Sequence, residues 1–295
     1  MDVTRTSDGR ANLHIWREGG EYWCQKSPVF LKEWTNVQFT TRSHPANGNV
    51  RYHDVRRRPL WFAANTFDAV NVYHVFEHLT PAEGKRFVDE LYRVLKPGGV
   101  CRVSVPDLER ICRDYLHWLG KSLEDPSPTN LYKYQWSVWE IFDQIVREKS
   151  GGKMLEALLR KDLDVEFIQE RYGDVFRELY GKATPDPAGE SSSYQNAFQR
   201  LLAKTPAEIP TAIYRKAKQF LYPDKNDPHS TGERVKWMYD RVSLQLLLEG
   251  HGFEKFSVKN HAESDIVGWE RYDLDRSNYG DYGIDPSVYV EARKP

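Results

Sequence analysis

Between Phe67 and Val105 the chain reads strand, helix, glycine stop, strand, and this unit restricts the fold more than any other stretch. FDAVNVY at 67–73 and VCRVSV at 100–105 are β-branched and apolar with little polar interruption. That composition suits strands of a parallel sheet covered on both faces. Between them Thr80 reads as a helix N-cap, Pro81 as the first helical residue, and Glu83 completes a capping box. Phe87, Leu91, Val94 and Leu95 then share one face, and Lys96-Pro97-Gly98-Gly99 closes the helix. A parallel strand–helix–strand unit is right-handed, so an open, mostly parallel α/β sheet is predicted.

Further strands are predicted at Leu13–Trp16, Thr35–Phe39, Val50–His53, Phe253–Lys259 and Ser287–Ala292. A helix is expected over Asp107–Leu119 with Leu108, Ile111, Cys112 and Tyr115 as its buried stripe, and another over Tyr239–Glu249 before the stop Gly250-His251-Gly252. From 117 to 232 strand-like runs vanish and helical segments follow near 131–149, 153–161, 164–181, 194–203 and 208–221, with an exposed loop over Thr184–Ser193. The organisation predicted is a core over 1–116 and 233–295, interrupted by an α-helical insertion over 117–232. That insertion reads equally as a lid over a site or as a homodimer interface.

A net charge of -1 removes any global pull toward nucleic acid or anionic lipid, and the run Arg56-Arg57-Arg58 reads as a solvated face. Three cysteines without regular spacing argue for a reducing compartment and against a disulfide framework or a cysteine-based zinc site. Met1–Arg10 lacks an apolar run and no stretch reaches a membrane span, so a soluble, cytoplasmic protein is expected. Aromatic residues crowd 115–145 and 214–240. They pack a helical layer, or else offer a platform to a flat-faced ligand such as a carbohydrate.

VRYHDV at 50–55, FDAV at 67–70, HVFEHL at 74–79, ELYRVLKPGG at 90–99 and SVPD at 104–107 occur in an order and spacing that resembles the type 11 class I S-adenosylmethionine-dependent methyltransferases. WMYD at 237–240, Ser243-Leu244 and Gly252-Phe253 resemble the closing helix and strand of the same group. The resemblance implies a Rossmann-like sheet of seven strands, the last antiparallel, carrying the inserted α-helical subdomain. It also implies S-adenosylmethionine as cofactor. The family carries a glycine-rich turn after the first strand, where bare backbone meets the cofactor. Here Trp16 and Arg17 lead into the pair Gly19-Gly20. The acid expected at the end of the second strand has become Gln38, an amide that still bonds a hydroxyl. Asp54 stands where the family meets the adenine amino group, flanked by Val55, and Tyr73 ends the fourth strand.

By the same resemblance the residues after strands four and five carry the chemistry, at the carboxyl edge where such sheets bind ligands. His78 or His74 is the candidate base for a hydroxyl acceptor, with Asp107 as a further candidate. Each has a structural alternative: Glu77 and His78 brace the next helix, and Asp107 caps its own. His74-x-x-Glu77-His78 also fits a zinc-protease pattern, but that needs both histidines on one helix, and Thr80-Pro81 starts the helix after them. Candidate acceptor contacts are Glu77, Tyr239, and Asp143 with Arg147 on the insertion; Gln144 lies beside them. Asp143 and Arg147 are spaced to pair across one helical turn, which is their structural alternative. The activity implied is methyl transfer to a hydroxyl of a sugar or other small molecule, with no nucleic-acid partner. The alternative is a binding or scaffold protein that has lost its cofactor loop.

Overall fold

The computed structural model describes residues 3–17, 31, 33–39, 50–149, 151–158, 164, 166–168, 170–171, 234–272 and 287–295. Seven strands form one sheet: β1 (Asn12–Arg17), β2 (Thr35–Phe39), β3 (Val50–His53), β4 (Phe67–Tyr73), β5 (Leu95–Pro106), β6 (Glu254–Lys259) and β7 (Ser287–Arg293). Their order is β3-β2-β1-β4-β5-β7-β6. All described pairings are parallel except those of β7, which runs antiparallel between β5 and β6. This is the Rossmann-like sheet with an antiparallel last strand that the sequence implies.

Among the described residues the helices are α1 (Pro81–Val94), α2 (Leu108–Glu124), α3 (Pro128–Val146), α4 (Gly152–Leu158) and α5 (Arg241–Glu249). The capping box of α1 is formed: Thr80 N donates to Glu83 Oε2 at 2.7 Å and Glu83 N to Thr80 Oγ1 at 3.3 Å. Leu95 leaves the helix and opens β5, so Lys96–Gly99 belong to the strand's first turn of sheet instead of following the helix as a separate stop. The buried stripe expected on α2 is also narrower than its spacing suggests. Only Ile111 is fully buried on that helix, which packs against α3. It continues unbroken through residue 116, where the insertion was expected to begin. The segments expected near 194–203 and 208–221, the loop 184–193 and most of 164–181 lie outside the described residues.

The two faces of the sheet differ in chemistry. One face presents Leu13, Ile15, Val37, Val70, Val72, Val103 and Val290 to α1 and α5, in a continuous apolar cluster with Phe87, Leu91, Leu244 and Leu248. On the other, register places Asn36, His14, Asn71, Arg102 and Glu291 side by side across β2, β1, β4, β5 and β7. All five are buried. Asn36 donates to the carbonyls of Leu31 and Trp34, each at 2.8 Å. Arg102 meets Glu291 at 2.9 Å and donates to the carbonyls of Asn260 and Glu263, while its guanidinium lies 4.5 Å from the Trp269 ring centre. Trp34, Trp269 and Tyr272 cover the row edge-to-face. Of the aromatics expected as a packing layer, Trp118, Tyr132, Trp136 and Trp139 cluster with Met154, Phe167 and Ile168, while those over 214–233 lie outside the described residues.

Among the described residues no helix is long and apolar enough to cross a membrane. Removing one partner of a buried ion pair strands the other in a medium that solvates it poorly. Glu291→Leu should therefore lower unfolding free energy by about 3–5 kcal/mol, read by urea titration. A loss below about 1 kcal/mol, the range of exposed pairs, would show that the pair does not anchor the sheet.

Candidate functional site

The turn from β4 into α1 is built from polar residues folded inward. His74 follows the strand in the left-handed region at φ +49, its N–H held by the Ser104 carbonyl at 3.0 Å. Such a conformation costs a β-substituted residue about 1–3 kcal/mol and persists where surroundings impose it. Phe76–His78 then form one 3₁₀ turn before Leu79 and the cap at Thr80. The histidines thus sit outside the helix, as the start signal predicts, and do not share the helical face that a zinc-protease pattern requires.

His74 Nδ1 lies 3.0 Å from Glu77 Oε1, and its Nε2 lies 3.2 Å from Ser287 Oγ at the start of β7. A carboxylate accepts, so the Nδ1 atom carries the proton and Nε2 accepts from the Ser287 hydroxyl. Glu77 is buried, and among the described residues its second oxygen, Oε2, has no hydrogen-bond partner. His78 is buried as well. Its Nδ1–H donates to the Arg234 carbonyl at 3.1 Å, and its Nε2 accepts from Arg17 Nη1 at 3.3 Å. Burial, reinforced by the Arg17 charge, holds its pKa well below the ordinary histidine range, so it is neutral. Both nitrogens of His78 are engaged in holding the end of β1 and the segment after the insertion.

Residues 234–238 join the two halves of this site. Lys236 N and Trp237 N donate to the Glu77 carbonyl at 2.7 and 3.2 Å, and Val235 N donates to the Gln144 carbonyl of α3 at 3.1 Å. A narrow crevice results, lined by Glu77 and Pro106 on the sheet side, Val235 and Met238 on the joining segment, and Ile141 and Gln144 on α3. It has room for roughly one water-sized group.

The other predicted residues fall as follows. Asp107 is the N-cap of α2, accepting from Glu109 N at 3.0 Å, and burial raises its pKa. Tyr239 packs into the main core against Phe76, with its hydroxyl over Gly84 and its pKa pushed up to about 12 by burial, then by the Glu77 charge. Asp143 and Arg147 pair at 3.1 Å, both buried. The Asp143 carboxylate also accepts from Lys153 N at 2.7 Å. Gly152, at φ +56, admits that approach, since a Cβ there would run into the carboxylate. Glu140, which the sequence did not single out, is engaged by Arg171 and by Trp136 Nε1.

At the other strand ends, Trp16, Gln38 and Tyr73 occupy one row of the sheet across β1, β2 and β4, all nearly buried. Trp16 stacks on His14 with ring centres 5.1 Å apart. Asp54 follows β3 and receives Arg56 Nε and Nη2 at 2.8 Å each. Burial works to raise its pKa but is outweighed by Arg56, so the carboxyl stays below the usual carboxylate range. Its Oδ2 retains a lone pair. Val55 packs into the main core, and Gly19 and Gly20 lie outside the described residues. Arg17, Ser287 and Arg234 were missed by sequence reasoning. Only Arg17 carried a signal, as a bulky residue beside the glycine pair. Ser287 is 213 positions from His74.

Residues 27–103, roughly a quarter of the chain, match the family model described as a methyltransferase domain. Two Klebsiella pneumoniae sequences of the ubiquinone/menaquinone biosynthesis C-methyltransferase UbiE are 37% identical over 71 residues, which covers 23% of this chain and 28% of each of theirs. The chain thus spans under a third of the length of those relatives. Among solved structures, an S-adenosylmethionine-dependent methyltransferase of Methanosarcina mazei is similar at 13% identity over 96% of this chain and 92% of that one, with a TM-score of 0.36. One from Mesorhizobium loti is similar at 12% identity over 96% and 90%, also with a TM-score of 0.36.

The buried neutral His78 has a consequence for stability. Its folded pKa lies below the unfolded value near 6.5, so the unfolded chain binds the extra proton as pH falls. The contribution is whole above about pH 6.5 and is lost below it, at up to about 1.4 kcal/mol per pH unit. Urea midpoints should fall from about pH 7 to about pH 5, and His78→Asn should flatten that fall. A residual slope is expected from His53, whose pKa burial also lowers. An unchanged slope in the variant would mean that His78 is not held neutral.

Proposed function

We propose that this chain, which carries a methyltransferase domain over residues 27–103, moves the methyl group of S-adenosylmethionine to an acceptor hydroxyl on a sugar or other small molecule. The observation that carries the reading is the His74–Glu77 pair at the carboxyl end of β4, where open α/β sheets bind their ligands. When bound, the cofactor supplies a sulfonium methyl with a good leaving group. What an alcohol adds is the need for a base. His74 is that base: Glu77 fixes its Nδ1–H, and the acceptor hydroxyl takes the place of Ser287 Oγ at Nε2. His78, whose Nε2 faces the Arg17 guanidinium and whose pKa burial holds low, is the weaker base; it positions Arg17 and the 234–238 segment, and Asp107 caps α2.

The residues at the ends of β1 to β4 fit the cofactor chemically. Gln38 offers an amide to the ribose hydroxyls and Asp54 Oδ2 an acceptor to the adenine amino group. Trp16 and Tyr73 flank them in the same row of the sheet. A second reading has its own observation. Trp16 is 5% exposed and stacked where the family keeps bare glycine backbone, which favours a binding or scaffold protein that no longer takes the cofactor.

Calorimetric titration of ligand-free protein with S-adenosylmethionine and its demethylated product separates the two. Micromolar binding is expected, and absence of both complexes would leave the scaffold reading in place. Asp54→Ala should weaken that binding about tenfold, the loss of one hydrogen bond to a charged group; unchanged affinity would reject the adenine assignment. His74→Gln should lower turnover about 10²- to 10⁴-fold with cofactor affinity intact. Retained turnover would move the base to His78 or Asp107.

A further inference from the structure

The crevice between the β4–α1 turn and α3 holds two unspent polar groups. Among the described residues Glu77 Oε2 is buried without a partner and the Gln144 side-chain amide makes no hydrogen bond, although both residues line the same space. The other polar groups on that face of α3 are committed elsewhere: Asp143 to Arg147 and the first turn of α4, and Glu140 to Arg171 and Trp136. An unanswered carboxylate oxygen in a low-dielectric crevice is costly unless something donates to it. The space admits one water-sized group between apolar walls from Ile141, Val235 and Met238.

We infer that this crevice anchors the acceptor by a hydroxyl that donates to Glu77 Oε2 and accepts from the Gln144 amide, making Gln144 the specificity-determining residue of the insertion. This rests on the reading of the His74 edge as the acceptor site. The chemistry selects an alcohol over an amine. A carboxylate oxygen accepts, and a hydroxyl both donates and accepts, so it satisfies Glu77 Oε2 and a Gln144 N–H together. An ammonium only donates, so it offers the Gln144 N–H groups no acceptor. Since the anchoring hydroxyl is not the one facing His74, the acceptor carries at least two, on a body with an apolar face.

The test is ligand-observed saturation-transfer NMR on the full chain, with cyclohexanol and its charged counterpart cyclohexylamine as probes. S-adenosylmethionine is titrated calorimetrically into each variant as an independent readout. Wild type should prefer the alcohol. Gln144→Met should bind it about tenfold more weakly, the loss of one hydrogen bond, with cofactor affinity unchanged. Gln144→Glu should reverse the preference toward the amine. Equal alcohol binding by Gln144→Met overturns the inference, as does a wild type that prefers the amine or binds neither probe. Failure of wild type to bind the cofactor would instead strike the methyl-transfer reading, and the alcohol series would still judge the crevice.

Discussion

A row of five polar side chains through the middle of a buried sheet has to be answered by hydrogen bonds, because leaving such groups desolvated and unpaired costs more than folding can spare. In this chain most of the row is answered, partly across the sheet and partly from segments outside it, while Asn71 Oδ1 is buried with no hydrogen bond among the described residues. Asn36 holds the approach to β2 through Leu31 and Trp34, and the Arg102–Glu291 pair holds the 260–265 segment after β6. Asn71 and His14 meet each other at 3.1 Å in the centre. The aromatic rings over the row then exclude water from it. One face of the sheet is therefore fastened by directional bonds, while the other is closed by apolar contact with α1 and α5.

That fastening sets where the strand ends lie, and hence the site. The next row toward the carboxyl edge contains Gln38, Trp16, Tyr73, Ser104 and Tyr289, and His74 follows one residue beyond. Helix α3 reaches this edge through residues 234–238, which bond to Glu77 on one side and to α3 on the other. Walls contributed by segments far apart in sequence meet at one carboxylate.

The sequence made the apolar side of this architecture readable and left the polar side obscure. Helix α1 announced itself through Thr80, Pro81 and Glu83 because capping is local chemistry, decided within four residues. The strands at 35–39, 50–53 and 67–73 matched their composition to the residue. The polar row did not show, since Asn71 in VNV or Arg102 in CRVS looks like an isolated interruption until register aligns it with neighbours. The spacing of Asp143 and Arg147 gave their pairing, but not that Asp143 also serves the first turn of α4, which depends on the left-handed Gly152. For the site, the ionisable residues of the β4–α1 turn were legible as a group. Which histidine pairs with the carboxylate and which with the Arg17 guanidinium was not, because Ser287, Arg234 and Arg17 decide it from distant positions.

The placement of β7 has a bearing on how the chain reaches this state. The strand lies between β5 and β6, yet Glu291 is 189 residues from the Arg102 it neutralises. During synthesis β5 therefore stands as an open edge while the whole insertion is made, with an uncompensated guanidinium in its middle. An unpaired edge invites association with other strands, and pairing across so long a separation is slow. The buried charge then acts as a gatekeeper: it discourages a foreign strand from docking on β5 until the one segment carrying a matching carboxylate arrives.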